Sequence, residues 1–323
     1  MSLLYGPVPS RRLGRSLGVD LVPYKTCSYD CIYCQLGRTT HKTVARRTWT
    51  PPEDVLRDLP SRLASRPDVI TLGGSGEPTL YAGLGELIDR IKAVTDVPVA
   101  VLTNGSLLGD REVSRDLRRA DLVVPSLDAG DETTFQAVNR PHPEISYACM
   151  LEGLAAFRRT YAGRYWLEVF IVGAYTDTDA EAVKLAEAVG RIRPDRVQLN
   201  TATRPPAEAD ARAVPAARLR ALAARIHPDA EVIADFRTAS AAGETSDAKS
   251  AILDLLARRP CTLEDIAAGL GLHRNEIVKH LDALQAARSI RETRRGQAVF
   301  FQKNCSGGAP PRGEPAADRR AVK

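Results

Sequence analysis

Three cysteines lie within eight residues of one another, in the run Cys27-Ser-Tyr-Asp-Cys31-Ile-Tyr-Cys34. Three thiolates on one short loop can bind three irons of a [4Fe–4S] cube and leave the fourth iron open. Soft sulfur ligands suit zinc as well. His41 would then complete the set, although zinc usually takes ligands in two paired halves and no second Cys-x-x-Cys occurs in the chain. A redox pair at Cys31 and Cys34 is a third reading. Cys149, Cys261 and Cys305 stand alone, and Cys149, inside a helical pattern, reads as a small core residue.

Other residues suited to chemistry gather at the ends of apolar runs. Val69-Ile-Thr-Leu-Gly-Gly-Ser-Gly-Glu-Pro-Thr79 closes on a glycine-rich turn that carries Glu77. Glycine lets a backbone approach a ligand closely, and a carboxylate there can hold an ammonium group. Leu102-Thr-Asn-Gly105 and Pro125-Ser-Leu-Asp128 end two further runs. Asn104-Gly105 reads equally well as a plain turn, and Asp128 as a helix cap.

The elements that must position these residues follow from periodicity. Nearly continuous apolar runs at 17–22, 69–73, 97–103, 122–127, 166–172 and 196–200 predict strands covered on both faces. Helical patterns near 52–65, 83–95, 110–119, 144–162, 179–191 and 215–226 alternate with them, and Pro51 and Pro52 suit the start of the first. Six βα units imply a parallel sheet, either doubly wound or closed into part of a barrel. Polar groups at the C-terminal ends of such strands are where α/β proteins place their sites.

Residues 236–247 are small and polar and read as a linker. Beyond it come an amphipathic helix at 248–258, a short helix after Thr262 with Asp265 in the capping-box position, and a third helix at 274–287. A hairpin over 289–302 follows. Three helices and a β-wing resemble a winged helix-turn-helix, with Arg274, Asn275 and Lys279 on its third helix and Arg294 and Arg295 in the wing. Glu276 and Asp282 on that helix weaken the case for DNA. The tail 304–323 lacks bulky apolar residues and reads as disordered. The expected domains are therefore 1–235, linker 236–247, winged helix 248–303 and tail 304–323.

Composition bounds the rest. The 323 residues are 44% hydrophobic and 26% charged, which excludes a wholly disordered or fibrous chain. The net charge of +5 divides into +6 over residues 1–50, −6 over 51–245, +3 over 246–303 and +2 beyond. No secretory signal or membrane-length apolar run occurs, so a cytoplasmic protein with reduced thiols is expected.

The run C-x-x-x-C-x-aromatic-C after the first strand of a repeated βα chain resembles the radical S-adenosylmethionine (SAM) superfamily. This resemblance, over residues 15–235, implies a partial (β/α)6 TIM-like barrel, a [4Fe–4S] cluster on Cys27, Cys31 and Cys34, and SAM as second cofactor. It also implies the chemistry: one electron cleaves SAM to methionine and a 5′-deoxyadenosyl radical, which abstracts hydrogen from a substrate. By the same resemblance Tyr33 lies against adenine. Gly74, Gly76 and Glu77 resemble the Gly-Gly-Glu-Pro motif that binds the aminoacyl end of SAM, with Ser75 and Gly76 as a departure from it. Thr103, Asn104, Ser126 and Asp128 match positions near the methionine and ribose.

The opening Tyr5-Gly-Pro-Val-Pro-Ser-Arg-Arg-Leu-Gly-Arg-Ser-Leu-Gly18 looks like the start of the wyosine-type tRNA-modifying relatives, whose extra upstream cysteines are absent before Cys27. Arg11, Arg12 and Arg15 would meet a phosphate, a carboxylate or the acidic body. His142, Glu168, Asn200 and Arg204 are the substrate-pocket candidates. Two functions compete: an enzyme acting on RNA or protein, fed by a flavodoxin- or ferredoxin-like electron donor, and a regulator that senses the cluster or SAM and binds DNA.

Overall fold

In a computed structural model the chain is described from residue 3 to 304, except for 11, 203–205, 235–247, 273–276, 278–279, 282–283, 286 and 296–297. The elements are β1 (Leu4–Ser10), β2 (Gly14–Val19), β3 (Thr26–Cys27), β4 (His41–Lys42), α1 (Pro52–Leu63), β5 (Val69–Leu72), α2 (Leu84–Lys92), β6 (Val99–Thr103), α3 (Arg111–Leu117), β7 (Leu122–Pro125), α4 (Glu132–Val138), α5 (Tyr147–Thr160), β8 (Arg164–Ile171), α6 (Asp179–Ile192), β9 (Arg196–Thr201), α7 (Ala216–Ile226) and β10 (Glu231–Val232). After them come α8 (Ala248–Arg258), α9 (Leu263–Leu270), β11 (Ile290–Arg295) and β12 (Ala298–Lys303).

The main sheet runs β1-β2-β5-β6-β7-β8-β9-β10, with β1 antiparallel to β2 and every other pair parallel. The six expected strands are all present. Their alternation explains the continuous apolar runs. Ile70, Leu72, Val101 and Val123 face the helices, while Val69, Ala100, Leu122, Val124 and Trp166 form a second, inner core. Each fully buried Leu, Ile or Val contributes about 1.5–3 kcal/mol of hydrophobic stabilisation. Side-chain caps at Asp110, Asp131, Ser146 and Thr178 start α3 to α6 and fix where each helix leaves its loop.

Two differences matter for the site. The first barrel strand begins at Gly14 rather than residue 17, because residues 4–10 pair with it as an edge strand. Gly6, Pro7 and Pro9 hide that strand in the sequence, yet an edge is where a strand tolerates proline. The start of the basic segment 1–50 is thus a hairpin, and its turn brings Leu13 against the inner core. The second difference is α4, which the expected helix at 144–162 did not include.

At the C-terminal end, α8, α9 and the antiparallel pair β11–β12 pack around Ile252, Leu255, Leu256, Ile266 and Ile290, with Ile277, Leu281 and Leu284 joining them. Thr262 and Asp265 form the expected capping box. Cys261 is buried in this core, and Cys149 is exposed rather than in a core, because the buried face of α5 carries Met150, Leu151 and Leu154 instead. Arg11, Arg204, Arg274, Asn275, Glu276, Lys279, Asp282, Cys305, the linker 236–247 and the tail from 305 lie outside the described residues. Among the described residues no helix is long and apolar enough to cross a membrane.

Candidate active site

The cysteine loop leaves β2 and is held from both sides. Asp30 accepts from Thr39 N at 2.7 Å and pairs with Arg38 at 2.9 Å, which folds the loop on itself. Ile32 N donates to Val138 O and Asp30 N to Asn139 O, both at 3.0 Å, which fastens it to the end of α4. Cys27, Cys31 and Cys34 all line one cavity of about 430 Å³.

Each sulfur has an N–H donor from a different segment. Tyr29 N (3.5 Å) and Asn104 Nδ2 (3.6 Å) reach Cys27 Sγ, Asn139 Nδ2 (3.5 Å) reaches Cys31 Sγ, and Lys25 Nζ (3.4 Å) reaches Cys34 Sγ. Donors aimed at sulfur stabilise thiolate charge and tune whatever the thiolates bind. Without a bound cation, burial pushes the Cys27 thiol up to about 12, helped by the charge of Glu77, and raises Cys31 as well. Binding a cluster must therefore displace protons.

Among the described residues no three His, Cys, Asp or Glu side chains converge on a point that a single metal ion could fill. His41 is exposed and lies edge-on to Trp49 with ring centroids 6.2 Å apart, so it completes no zinc site. Cys31 and Cys34 are free thiols with no disulfide between them.

The glycine-rich turn after β5 is gripped from behind. Asp20 accepts from Ser75 N at 2.7 Å and Ser75 Oγ at 2.8 Å, and Tyr5 OH donates to Gly73 O at 2.9 Å. Glu77 is 2% exposed and takes four donors: Thr79 N and Oγ1, Thr103 Oγ1 and Asn104 N, at 3.0, 2.6, 2.6 and 2.7 Å. Burial raises its carboxyl above the ordinary range, against the pull of those donors. Glu77 therefore splices the turn to the end of β6.

A parallel brace stands on the other side. Asp128 accepts from Tyr33 OH, from Asn139 Nδ2 at 2.7 Å and from Phe170 N at 3.2 Å, and the Tyr33 ring stacks on Phe170 at 3.9 Å. Asp128 is not a cap, since Asp131 caps α4. Burial holds its carboxyl up at about 6, while the Tyr33 and Asn139 hydrogen bonds pull it down. A folded-state value above the unfolded one means the folded chain binds the extra proton, so this contribution to stability is greatest below about pH 4 and is lost as pH rises through about 6. Asp128→Asn is expected to remove that decline, read as the difference in denaturant midpoint between variant and wild type across this range. Parallel pH profiles would contradict it.

The cavity floor is polar. Ser16 Oγ and Thr71 Oγ1 lie 2.6 Å apart, and Arg12 reaches across the barrel to Glu168 on β8 at 2.5 Å. Glu168 also accepts from Asn200 Nδ2 at 2.7 Å. The Arg12 and Glu168 side chains are only 12% and 13% exposed, so removing one strands the other. Arg12→Ala is expected to cost about 3 kcal/mol in chemical unfolding, and Arg12→Met with Glu168→Met to recover most of it. A single variant as stable as wild type would show the pair to be idle.

Of the residues expected from sequence, Tyr33, Gly74, Gly76, Ser126, Glu168 and Asn200 line the cavity with the cysteines. Glu77, Thr103, Asn104 and Asp128 stand behind that lining and brace it. His142 is not in the lining; its N–H bonds Ser28 O at 2.8 Å, and its Nδ1 accepts from Glu144 N. Sequence reading missed Lys25, two residues before Cys27, and the sulfur contact of Asn139.

The family model for the radical SAM superfamily matches residues 21–189, which include both the cysteine loop and the glycine-rich turn. The chain belongs to the radical SAM superfamily. That superfamily is one of enzymes that work with a [4Fe–4S] cluster and SAM. The chain is 40% identical over 212 residues to a UPF0026 protein of Methanocaldococcus jannaschii, covering 64% of this chain and 66% of that one. It is 39% identical over 294 residues to a protein of Brachyspira hyodysenteriae named GTPase Obg, covering 90% of this chain and 43% of that one. It thus spans less than two thirds of the length of either relative. A radical SAM methyltransferase from Sphaerobacter thermophilus shares the fold, with a TM-score of 0.52 at 18% identity over 67% of this chain and 66% of that one.

Proposed function

We propose that this radical SAM chain carries its cluster on Cys27, Cys31 and Cys34, seats SAM against the glycine-rich turn, and modifies a macromolecule, RNA or polypeptide. The observation that carries the reading is the convergence of three donor-backed sulfurs and the backbone of Gly73 to Gly76 on one cavity. When bound, the two cofactors supply an electron and a sulfonium whose cleavage gives methionine and a 5′-deoxyadenosyl radical. The chain's own residues bind, orient and exclude water. Tyr33, Gly74, Gly76 and Ser126 meet SAM directly, and Glu77, Thr103, Asn104 and Asp128 hold the loops that do so. Glu168 and Asn200 face the substrate from the floor.

In this reading residues 1–235 form the partial barrel. Residues 236–247 link it to a winged helix at 248–303 that docks the macromolecule, and 304–323 are a tail. A flavodoxin- or ferredoxin-like protein supplies the electron in the cytoplasm. The resemblance of the N-terminal run to wyosine-type enzymes favours RNA as the substrate class. The test is anaerobic reconstitution with iron and sulfide, then dithionite and SAM. Formation of 5′-deoxyadenosine is the expected result. Its absence from protein with a full [4Fe–4S] complement overturns the enzyme reading and leaves the DNA-binding sensor.

A further inference from the structure

Asp20 is 5% exposed and grips Ser75 with both carboxylate oxygens. A carboxylate buried that deeply is costly unless it is hydrogen-bonded or paired, and Asp20 has a cation as well as Ser75. The cation is Arg258, the last residue of α8, whose Nη1 pairs with Asp20 Oδ2. The same guanidinium lies over the Tyr5 ring, 5.1 Å from its centroid, and Tyr5 OH holds Gly73 O. A Cβ on Gly74 would fall 2.0 Å from Asp20 Oδ1 and 3.1 Å from Tyr5 OH, so the turn is cradled between those two side chains. Both rest on Arg258. Tyr5 packs against the C-terminal core, and Arg258 and Arg259 line the cavity together with the cysteines.

We infer that the C-terminal segment is a working part of the cofactor pocket, with Arg258 as the positioning residue that holds the glycine-rich turn through Asp20 and Tyr5. This rests on the reading above that the turn seats SAM. The segment is then more than a docking module, because its seating on the barrel and SAM binding stabilise each other by linkage. A macromolecule that shifts α8 would change SAM affinity, and SAM would change the affinity for that macromolecule by the same factor.

The experiment uses the full chain, reconstituted anaerobically, with SAM affinity measured by equilibrium dialysis and iron content measured in parallel. Arg258→Gln is expected to weaken SAM binding about tenfold at unchanged iron content, with Arg258→Lys recovering part of the loss. Asp20→Asn added to Arg258→Gln is expected to weaken it little further, because the two residues act as one unit. Wild-type affinity in Arg258→Gln, strictly additive effects in the double variant, or loss of iron together with SAM each overturns the inference. Wild-type protein with full iron that binds no SAM overturns the reading of the turn itself, and this inference with it.

Discussion

Cys31→Ala is expected to leave the protein unable to acquire the bound iron and visible absorption that the wild type takes up on reconstitution. In the proposed assignment the three sulfurs are not interchangeable contacts around one ion; each would hold a separate iron of a cube, and two anchors would leave a second iron without a protein ligand. Asn139, which reaches Cys31 Sγ, presents an N–H there, and an N–H cannot ligate iron. Asn139→Ala separates ligation from support. It keeps all three sulfurs and removes one donor, so a ten- to hundredfold weaker hold on iron is expected, rather than abolition. Titration with an iron chelator reads both variants on one scale. A Cys31→Ala protein with full iron would sink the cluster assignment.

The barrel strands were legible because both faces of a parallel strand are covered, which writes Val69–Leu72 or Leu122–Pro125 as unbroken apolar runs. The cysteine loop was legible because thiolate spacing is a local property. The hairpin strand Leu4–Ser10 was not, since proline and glycine mask a strand that needs only one neighbour. Expectation and structure part most clearly over polar residues at strand ends. Sequence names Glu77 and Asp128 as carboxylates facing a ligand, but whether a carboxylate faces a cavity or braces its neighbours depends on which donors packing brings to it. Thr103 and Asn104 add two donors to the two that Thr79 gives Glu77, and Tyr33, Asn139 and Phe170 meet at Asp128, contacts that only the fold brings together. Arg12 and Glu168 show the same limit from the other side. Glu168 reads alone as a charge in search of a substrate, and the expectation that an N-terminal arginine could meet the acidic body holds for Arg12, but only the fold shows that these two are partners. Arg258 lies beyond any periodic signal, because its role exists only once the C-terminal helices sit on β1.

The cost of those long-range contacts can be measured at Gly76. Its backbone has no need of glycine's left-handed freedom, so the demand for glycine is one of space. A Cβ there would stand 2.0 Å from Thr26 O and 2.7 Å from Val22 Cγ2, both on the segment that carries the chain into Cys27. Glu77 N already donates to Thr26 O at 3.1 Å, so the two backbones are bonded and neither can swing aside alone. Gly76→Ala must therefore push Thr26, and with it Cys27, away from Glu77. Overpacking of this kind costs about 3 kcal/mol, at the upper end of its usual range because the obstructing atom is backbone. Iron retention is expected to fall as well, since Cys27 loses its place relative to Cys31 and Cys34. Gly37→Ala is the contrast. That residue has φ +87° with open space around its Cβ position, so it bears only a backbone penalty of about 1 kcal/mol. Chemical unfolding of the cluster-free proteins and iron content after reconstitution separate the two. If Gly76→Ala matched Gly37→Ala in both, the close approach of the glycine-rich turn to the cysteine loop would not be what fixes the first sulfur in place.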